Sequence, residues 1–164
     1  MGLDEPVVDR EAVRAVLLAP DRTVLLMQFR EPSSGVALWL TPGGGKLPGE
    51  DAEACLRREL QEETGLQVFE LGPLVWTRRN HECSWNGKWV HQREQFYLVH
   101  VPSFKPSQEQ MREQDERAAF IGYRWWSAQE IEDSCELFVP RRLAGHFGEL
   151  LREGPPAAVV DVGE

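Results

Sequence analysis

Residues 44–66, GGKLPGEDAEACLRRELQEETGL, set four charged side chains, Arg58, Glu59, Glu62 and Glu63, within two helical turns directly behind a loop of glycine and proline. Glu59, Glu62 and Glu63 stand at i, i+3 and i+4, so their carboxylates leave one face of a helix, about 5–6 Å apart at Cβ. Two such charges repel by about 3 kcal/mol at an effective dielectric of roughly 20. A cation on the cluster relieves that repulsion. Mg²⁺ suits it, because this hard ion takes carboxylate and water oxygens and bridges to phosphates. Arg58 supplies a second counter-charge, either to the cluster or to Glu50.

The segment in front, Thr41-Pro42-Gly43-Gly44-Gly45-Lys46-Leu47-Pro48-Gly49, holds four glycines and two prolines in nine positions. Such a composition lets backbone groups approach a ligand or ion closely. Ala52, Leu56 and Leu60 fall on a neighbouring arc of the helix and predict an apolar stripe that anchors it while the glutamates stay in a cleft. Gly65 is placed to end the helix as its C′ glycine. Arg-Glu-Leu-Gln-Glu-Glu alone reads as a solvated helical face. Its register with the glycine loop, Glu50 and Gly65 argues for the site.

On these residues the chain resembles the Nudix hydrolases. Their signature is a Gly, five residues, a Glu, seven residues, Arg-Glu, an aliphatic residue, any residue, Glu-Glu, any residue, Gly and an aliphatic residue. Gly44, Glu50, Arg58, Glu59, Leu60, Glu62, Glu63, Gly65 and Leu66 match it at every fixed position, across 23 of 164 residues. The resemblance implies an α/β/α sandwich with a mixed β-sheet. It also implies hydrolysis of a nucleoside diphosphate derivative with Mg²⁺ or Mn²⁺. Carried over by position, Glu59, Glu62 and Glu63 look like the metal and catalytic carboxylates, with Glu59 the favoured general base. Glu50 and Arg58 look like the supporting pair, and the carbonyl of Gly43 or Gly44 like a further metal ligand. Family members also use an acidic residue upstream of a strand ending in Arg-Trp-Trp or similar. Glu116 best fits that spacing, with Glu113 and Asp115 as substitutes.

At 164 residues the chain is expected to form one domain, over 1–153, with 154–164 as a mobile tail poor in large apolar residues. A net charge of −9 argues against a sequence-independent grip on nucleic acid and against docking on anionic lipid. Cys55, Cys83 and Cys135 have no paired spacing, which indicates neither a zinc site nor a disulfide framework. Reduced cytoplasmic thiols are the default. Residues 1–10 carry charges, and no segment approaches 18 consecutive apolar residues, a pattern that predicts neither signal peptide nor membrane span. The expected partner is a small-molecule nucleotide, the expected state a monomer or homodimer.

Around the box, the apolar runs 12–19 and 23–29, separated by Pro20-Asp21-Arg22, predict a β-hairpin. Arg14 interrupts the first run, either as an exposed strand residue or as a substrate contact. Ala37-Leu38-Trp39-Leu40 predicts a short strand. Residues 68–85 and 88–101 flank Asn86-Gly87, the strongest two-residue hairpin signal. In the second arm Glu94 shares a face with Phe96 and Leu98, so it is either a fourth carboxylate for metal or substrate, or an exposed edge residue. Of Arg78 and Arg79, which point to opposite faces, at most one serves a phosphate. Residues 102–118 predict a loop with a helical turn near 108–116. Residues 119–127 predict a strand, Ser127 the start of a capped helix, and Pro140 to Arg152 the last helix. Six tryptophans are many for this length. Among Trp76, Trp85, Trp89, Trp125 and Trp126 on or beside strands, Trp125 is the candidate base contact. The leading expectation is a small-molecule phosphohydrolase. A non-catalytic nucleotide sensor and an enzyme acting at RNA 5′ ends are the alternatives.

Overall fold

The computed structural model describes residues 7–163. Its strands are β1 (Val8–Leu18), β2 (Val24–Arg30), β3 (Ala37–Leu40), β4 (Gly43–Gly45), β5 (Leu74–Trp85), β6 (Lys88–His100), β7 (Phe120–Trp126), β8 (Phe138–Val139) and β9 (Val160–Asp161). The helices are α1 (Ala52–Thr64), α2 (Gln114–Ala119), α3 (Ala128–Asp133) and α4 (Leu143–Glu153). The strands run in the order β8-β3-β2-β1-β6-β5-β9, with β4 on β1 and β7 on β2. Pairing is mixed: β1 runs parallel to β6 and antiparallel to β2 and β4.

Helices cover both faces of the sheet, which makes the α/β/α sandwich. Cys55, Leu56 and Leu60 of α1 pack on Val13, Ala15 and Leu17 of β1. Leu143, Phe147 and Leu150 of α4 pack on Val16, Phe96 and Leu98 from the opposite pleat. Period-two alternation along β1 thus feeds two cores. The Asn86-Gly87 turn forms as read, with φ of 52° and 76°, the left-handed pair that a tight hairpin requires. Ser127 and Glu130 form the expected reciprocal cap of α3.

Four local expectations differ from the structure. The β1–β2 hairpin pairs only at Leu18↔Val24. Beyond that point β2 takes β3 on Met27–Arg30, and β1 takes β4 on Ala12–Arg14. Residues 37–45 thereby wedge the two long strands apart. The glycine segment 43–45 is itself a strand, because glycine leaves nothing to keep β4 off the β1 backbone. The helical turn expected near 108–116 lies at 114–119, where the sequence offers four polar residues before its first apolar contact. Residues 154–164, read as a tail, contain β9, which adds to β5, and Val162, which is buried against Trp76 and Leu150. Two small β-branched residues suffice when the sheet edge supplies the backbone partner: the Val162 amide donates to the Thr77 carbonyl at 2.8 Å.

Candidate active site

The box helix is fixed at both ends and along one side. Asp51 accepts from the Ala54 amide at 2.7 Å as N-cap, and Gly65, at φ 79°, closes the other end with its amide on the Gln61 carbonyl. With Cys55, Leu56 and Leu60 buried, the rotation of α1 turns Glu59 and Glu63 inward, and both are buried. Glu62 keeps more access, at 20% side-chain exposure.

Arg58 organises this face. Its Nε donates to Glu50 Oε1 at 2.6 Å and its Nη2 to Glu50 Oε2 at 3.1 Å, while Nη2 also reaches the Gly45 carbonyl at 3.0 Å. Nη1 donates to Glu59 Oε1 at 2.8 Å and lies 3.5 Å from Glu62 Oε2. Glu50 also accepts from the Leu47 amide. Hydrogen bonding to Arg58, outweighing partial desolvation, holds the Glu50 carboxyl at about 2. The pair therefore ties the glycine loop to the helix and leaves one guanidinium nitrogen for the acidic cluster.

Gly43 and Gly44 position the other two carboxylates. The Gly43 amide donates to Glu63 Oε2 at 2.8 Å. A Cβ on Gly44 would lie 2.6 Å from Glu59 Oε1, so the missing side chain is where that carboxylate sits. Glu116 enters from α2. Desolvation and the charges of Glu59 and Glu113 push its carboxyl up to about 7. Desolvation, then Glu59 and Glu116, pushes Glu63 well above the usual carboxylate range, and burial raises Glu59 against the pull of Arg58. Among the described residues no three acidic, histidine or cysteine side chains converge into a ready-made metal cage. The donor set nevertheless fits a hard divalent ion: carboxylate oxygens that destabilise one another when ionised, beside the carbonyl oxygens of the glycine segment. Glu113 and Asp115, the substitutes for Glu116, are exposed.

The same cleft, about 230 Å³, extends onto the sheet. Arg14, read from the sequence either as an exposed strand residue or as a substrate contact, is largely buried. Its Nε donates to Glu94 Oε1 at 2.9 Å and its Nη1 to the carbonyls of Gly43 at 3.1 Å and Thr41 at 3.4 Å. Arg78 donates to Glu94 Oε2 at 2.9 Å, and Gln92 Nε2 to Oε1 at 2.8 Å. Glu94 is thus neither an exposed edge residue nor a spare carboxylate. Burial alone would raise it, but Arg14 and Arg78 hold its carboxyl below the ordinary value. Two arginines sharing one glutamate leave the wall with excess positive charge facing the acidic end. Arg79 is exposed, so Arg78 is the hairpin arginine in the cleft.

Trp125 does not reach this cleft. It packs beside the α1 core, edge-on to Phe104 with ring centroids 5.6 Å apart, because β7 turns that face toward the helix. Trp85 lines the cleft instead. Arg10 was missed: it lies at the mouth, its Nη1 3.5 Å from Gln92 Oε1, with its guanidinium against the bare Cα of Gly45. Its period-two register with Arg14 was the signal available.

A family model described as NUDIX domain matches residues 8–144. The chain belongs to the Nudix family. Nudix members generally use a divalent metal, typically Mg²⁺ or Mn²⁺, and this chain is a Nudix-type hydrolase. It is similar to "Nudix hydrolase 25" of Arabidopsis thaliana, 27% identical over 59% of this chain, a match that spans 62% of that protein. It is 31% identical to a protein of Caulobacter vibrioides named RNA pyrophosphohydrolase, over 84% of this chain and 81% of that one. The solution structure of the E. coli ORF135 protein shares the fold with a TM-score of 0.58 at 25% identity, covering 96% of this chain and all of that one. No described helix is long and apolar enough to cross a membrane.

Proposed function

We propose that this chain hydrolyses the diphosphate linkage of a nucleoside diphosphate derivative, with Mg²⁺ or Mn²⁺, by attack of water on phosphorus. The observation that carries the reading is the gathering of Glu59, Glu63 and Glu116 beside Gly43 and Gly44: burial raises all three carboxyls, Glu59 adds to the rise of Glu63 and Glu116, and Glu116 adds to that of Glu63. Glu59, Glu62, Glu63 and Glu116, with the Gly44 carbonyl, would hold the cation. The Gly43 carbonyl is engaged by the charged Arg14 guanidinium, whereas the Gly44 carbonyl accepts from the weaker Cys55 thiol donor at 3.5 Å, which favours Gly44. When bound, such an ion lowers the pKa of a coordinated water and neutralises phosphate charge.

The remaining work falls to the chain. Glu59 takes the proton of the attacking water, and Arg58 sets the direction of its carboxylate. Glu50 keeps Arg58 turned toward the loop. Arg10, with the excess charge of the Arg14–Glu94–Arg78 wall, draws the phosphates in and holds them in line with the acidic end. The apolar side of the cleft, Phe29, Leu38, Leu40 and Val139, suits a base or another flat group.

A second reading, hydrolysis at a triphosphorylated RNA 5′ end, is favoured by the similarity to the Caulobacter protein so named. The net charge of −9 weighs against a long polyanion. One panel decides between them: nucleoside triphosphates, nucleotide sugars, ADP-ribose, dinucleoside polyphosphates and a 5′-triphosphate RNA oligonucleotide, each with Mg²⁺ or Mn²⁺, products identified by mass. Turnover of a small nucleotide in preference to the oligonucleotide is expected. No turnover of any member removes the reading.

A further inference from the structure

The two walls of the cleft differ in chemistry and belong to different halves of the parted sheet. Arg10, Arg14, Arg78 and Glu94 come from β1, β5 and β6, whereas Phe29, Leu38 and Val139 come from β2, β3 and β8. The β5–β6 hairpin reaches from the first half to the second. The register of β5 shifts between Arg78 and His81, a bulge that increases local twist and bends the strand, and the tip of the β5–β6 hairpin then meets the end of β2. The polar part of that contact is a carboxylate. Glu31 Oε1 accepts from the Asn86 amide at 2.7 Å, while Oε2 accepts from Ser33 Oγ at 2.7 Å and the Ser34 amide at 2.6 Å.

Next to that latch stands Trp85. It lines the cleft and packs on the Met27–Phe29 cluster, so an indole from the polar half lies over the apolar half. The polar wall offers little to read a base edge, since Arg14, Arg78 and Gln92 all converge on Glu94. A base entering here finds ring faces rather than free donors. Stacking on an aromatic face tolerates any base and strengthens binding by one or two orders of magnitude.

We infer that Trp85 stacks on the nucleobase of the substrate and determines the preference for base-bearing diphosphates, with Glu31 as the positioning residue that holds the hairpin tip over the cleft. The inference rests on the nucleotide reading above.

Calorimetric titration with Mg²⁺ tests it, using three non-hydrolysable probes: α,β-methylene-ATP, α,β-methylene-GTP and methylenediphosphonate, which carries the linkage without sugar or base. Trp85→Ala weakens both nucleotide analogues by ~10-fold or more and leaves methylenediphosphonate within about twofold. Trp85→Phe keeps the nucleotides within about threefold. Glu31→Gln, which removes the charge but not the bulk, shows the same selective weakening on a smaller scale and carries the test should Trp85→Ala not fold. Unchanged nucleotide affinity in Trp85→Ala and Glu31→Gln, or parallel loss for the base-free probe, overturns the inference while the proposed function stands. A wild-type chain that binds no nucleotide analogue and turns over no member of the substrate panel removes both.

Discussion

Glu63 uses one oxygen to accept from the Gly43 amide and is buried beside other carboxylates, an arrangement that a structural glutamate has no reason to adopt. Glu63→Gln keeps an acceptor for Gly43 but cannot bind a cation as strongly, and is expected to reduce turnover at least ~100-fold with unchanged far-ultraviolet circular dichroism. Glu59→Gln should lose a similar factor; a loss below about tenfold would remove its assignment as base. Glu94→Ala acts differently. It leaves Arg14 and Arg78 buried without their counter-charge and is expected to cost about 3–5 kcal/mol in urea unfolding. The residues of the box were readable because their spacing is local. Arg10 and Trp85 were not, since Arg10 joins the cleft beside Gln92, 82 residues away, and Trp85 by packing on the distant Met27 and Phe29, and no short window displays either contact.

At the level of elements, β4 sets two glycines to opposite uses. A Cβ on Gly43 would lie 2.1 Å from the Val13 carbonyl oxygen, and the residue has φ 140°, so Gly43→Ala forces backbone apart. A Cβ on Gly44 meets only the Glu59 carboxylate, the end of a flexible chain. Gly43→Ala is therefore expected to destabilise by about 2 kcal/mol or more. Gly44→Ala should leave the thermal midpoint near wild type yet impair turnover by displacing Glu59; equal effects of the two on stability would contradict this division. The long hairpin and α1 were visible from their turn and cap residues, which act within four positions. The parting of β1 from β2 was not, because Pro20-Asp21-Arg22 specifies only a reversal of direction, and the wedge that opens the strands arrives from residues 37–45.

Across the whole molecule, the raised carboxyls link stability to pH. Glu116 titrates near 7 in the folded chain against an ordinary 4.5, so between those values the native state holds a proton that the unfolded chain has released. Native stability then falls as pH rises through that window. In chelator, the thermal midpoint is expected to be higher at about pH 5.5 than at about pH 7.5, and added Mg²⁺ should narrow the difference by binding the ionised cluster. Removal of residues 154–164 strips β9 and the buried Val162 from the sheet edge, and should lower stability by about 1.5–3 kcal/mol for that side chain alone.

The parallel ladder of β1 on β6, running from Val8↔Val90 to Leu18↔His100, has a consequence for how the molecule comes into being. During synthesis the acidic helix leaves the ribosome well before the strand that carries Glu94. Until that strand docks, Arg14 lacks the carboxylate that holds it against the glycine segment. Such distant partners meet late and slowly, so the nascent chain carries a complete signature long before it possesses a working cleft.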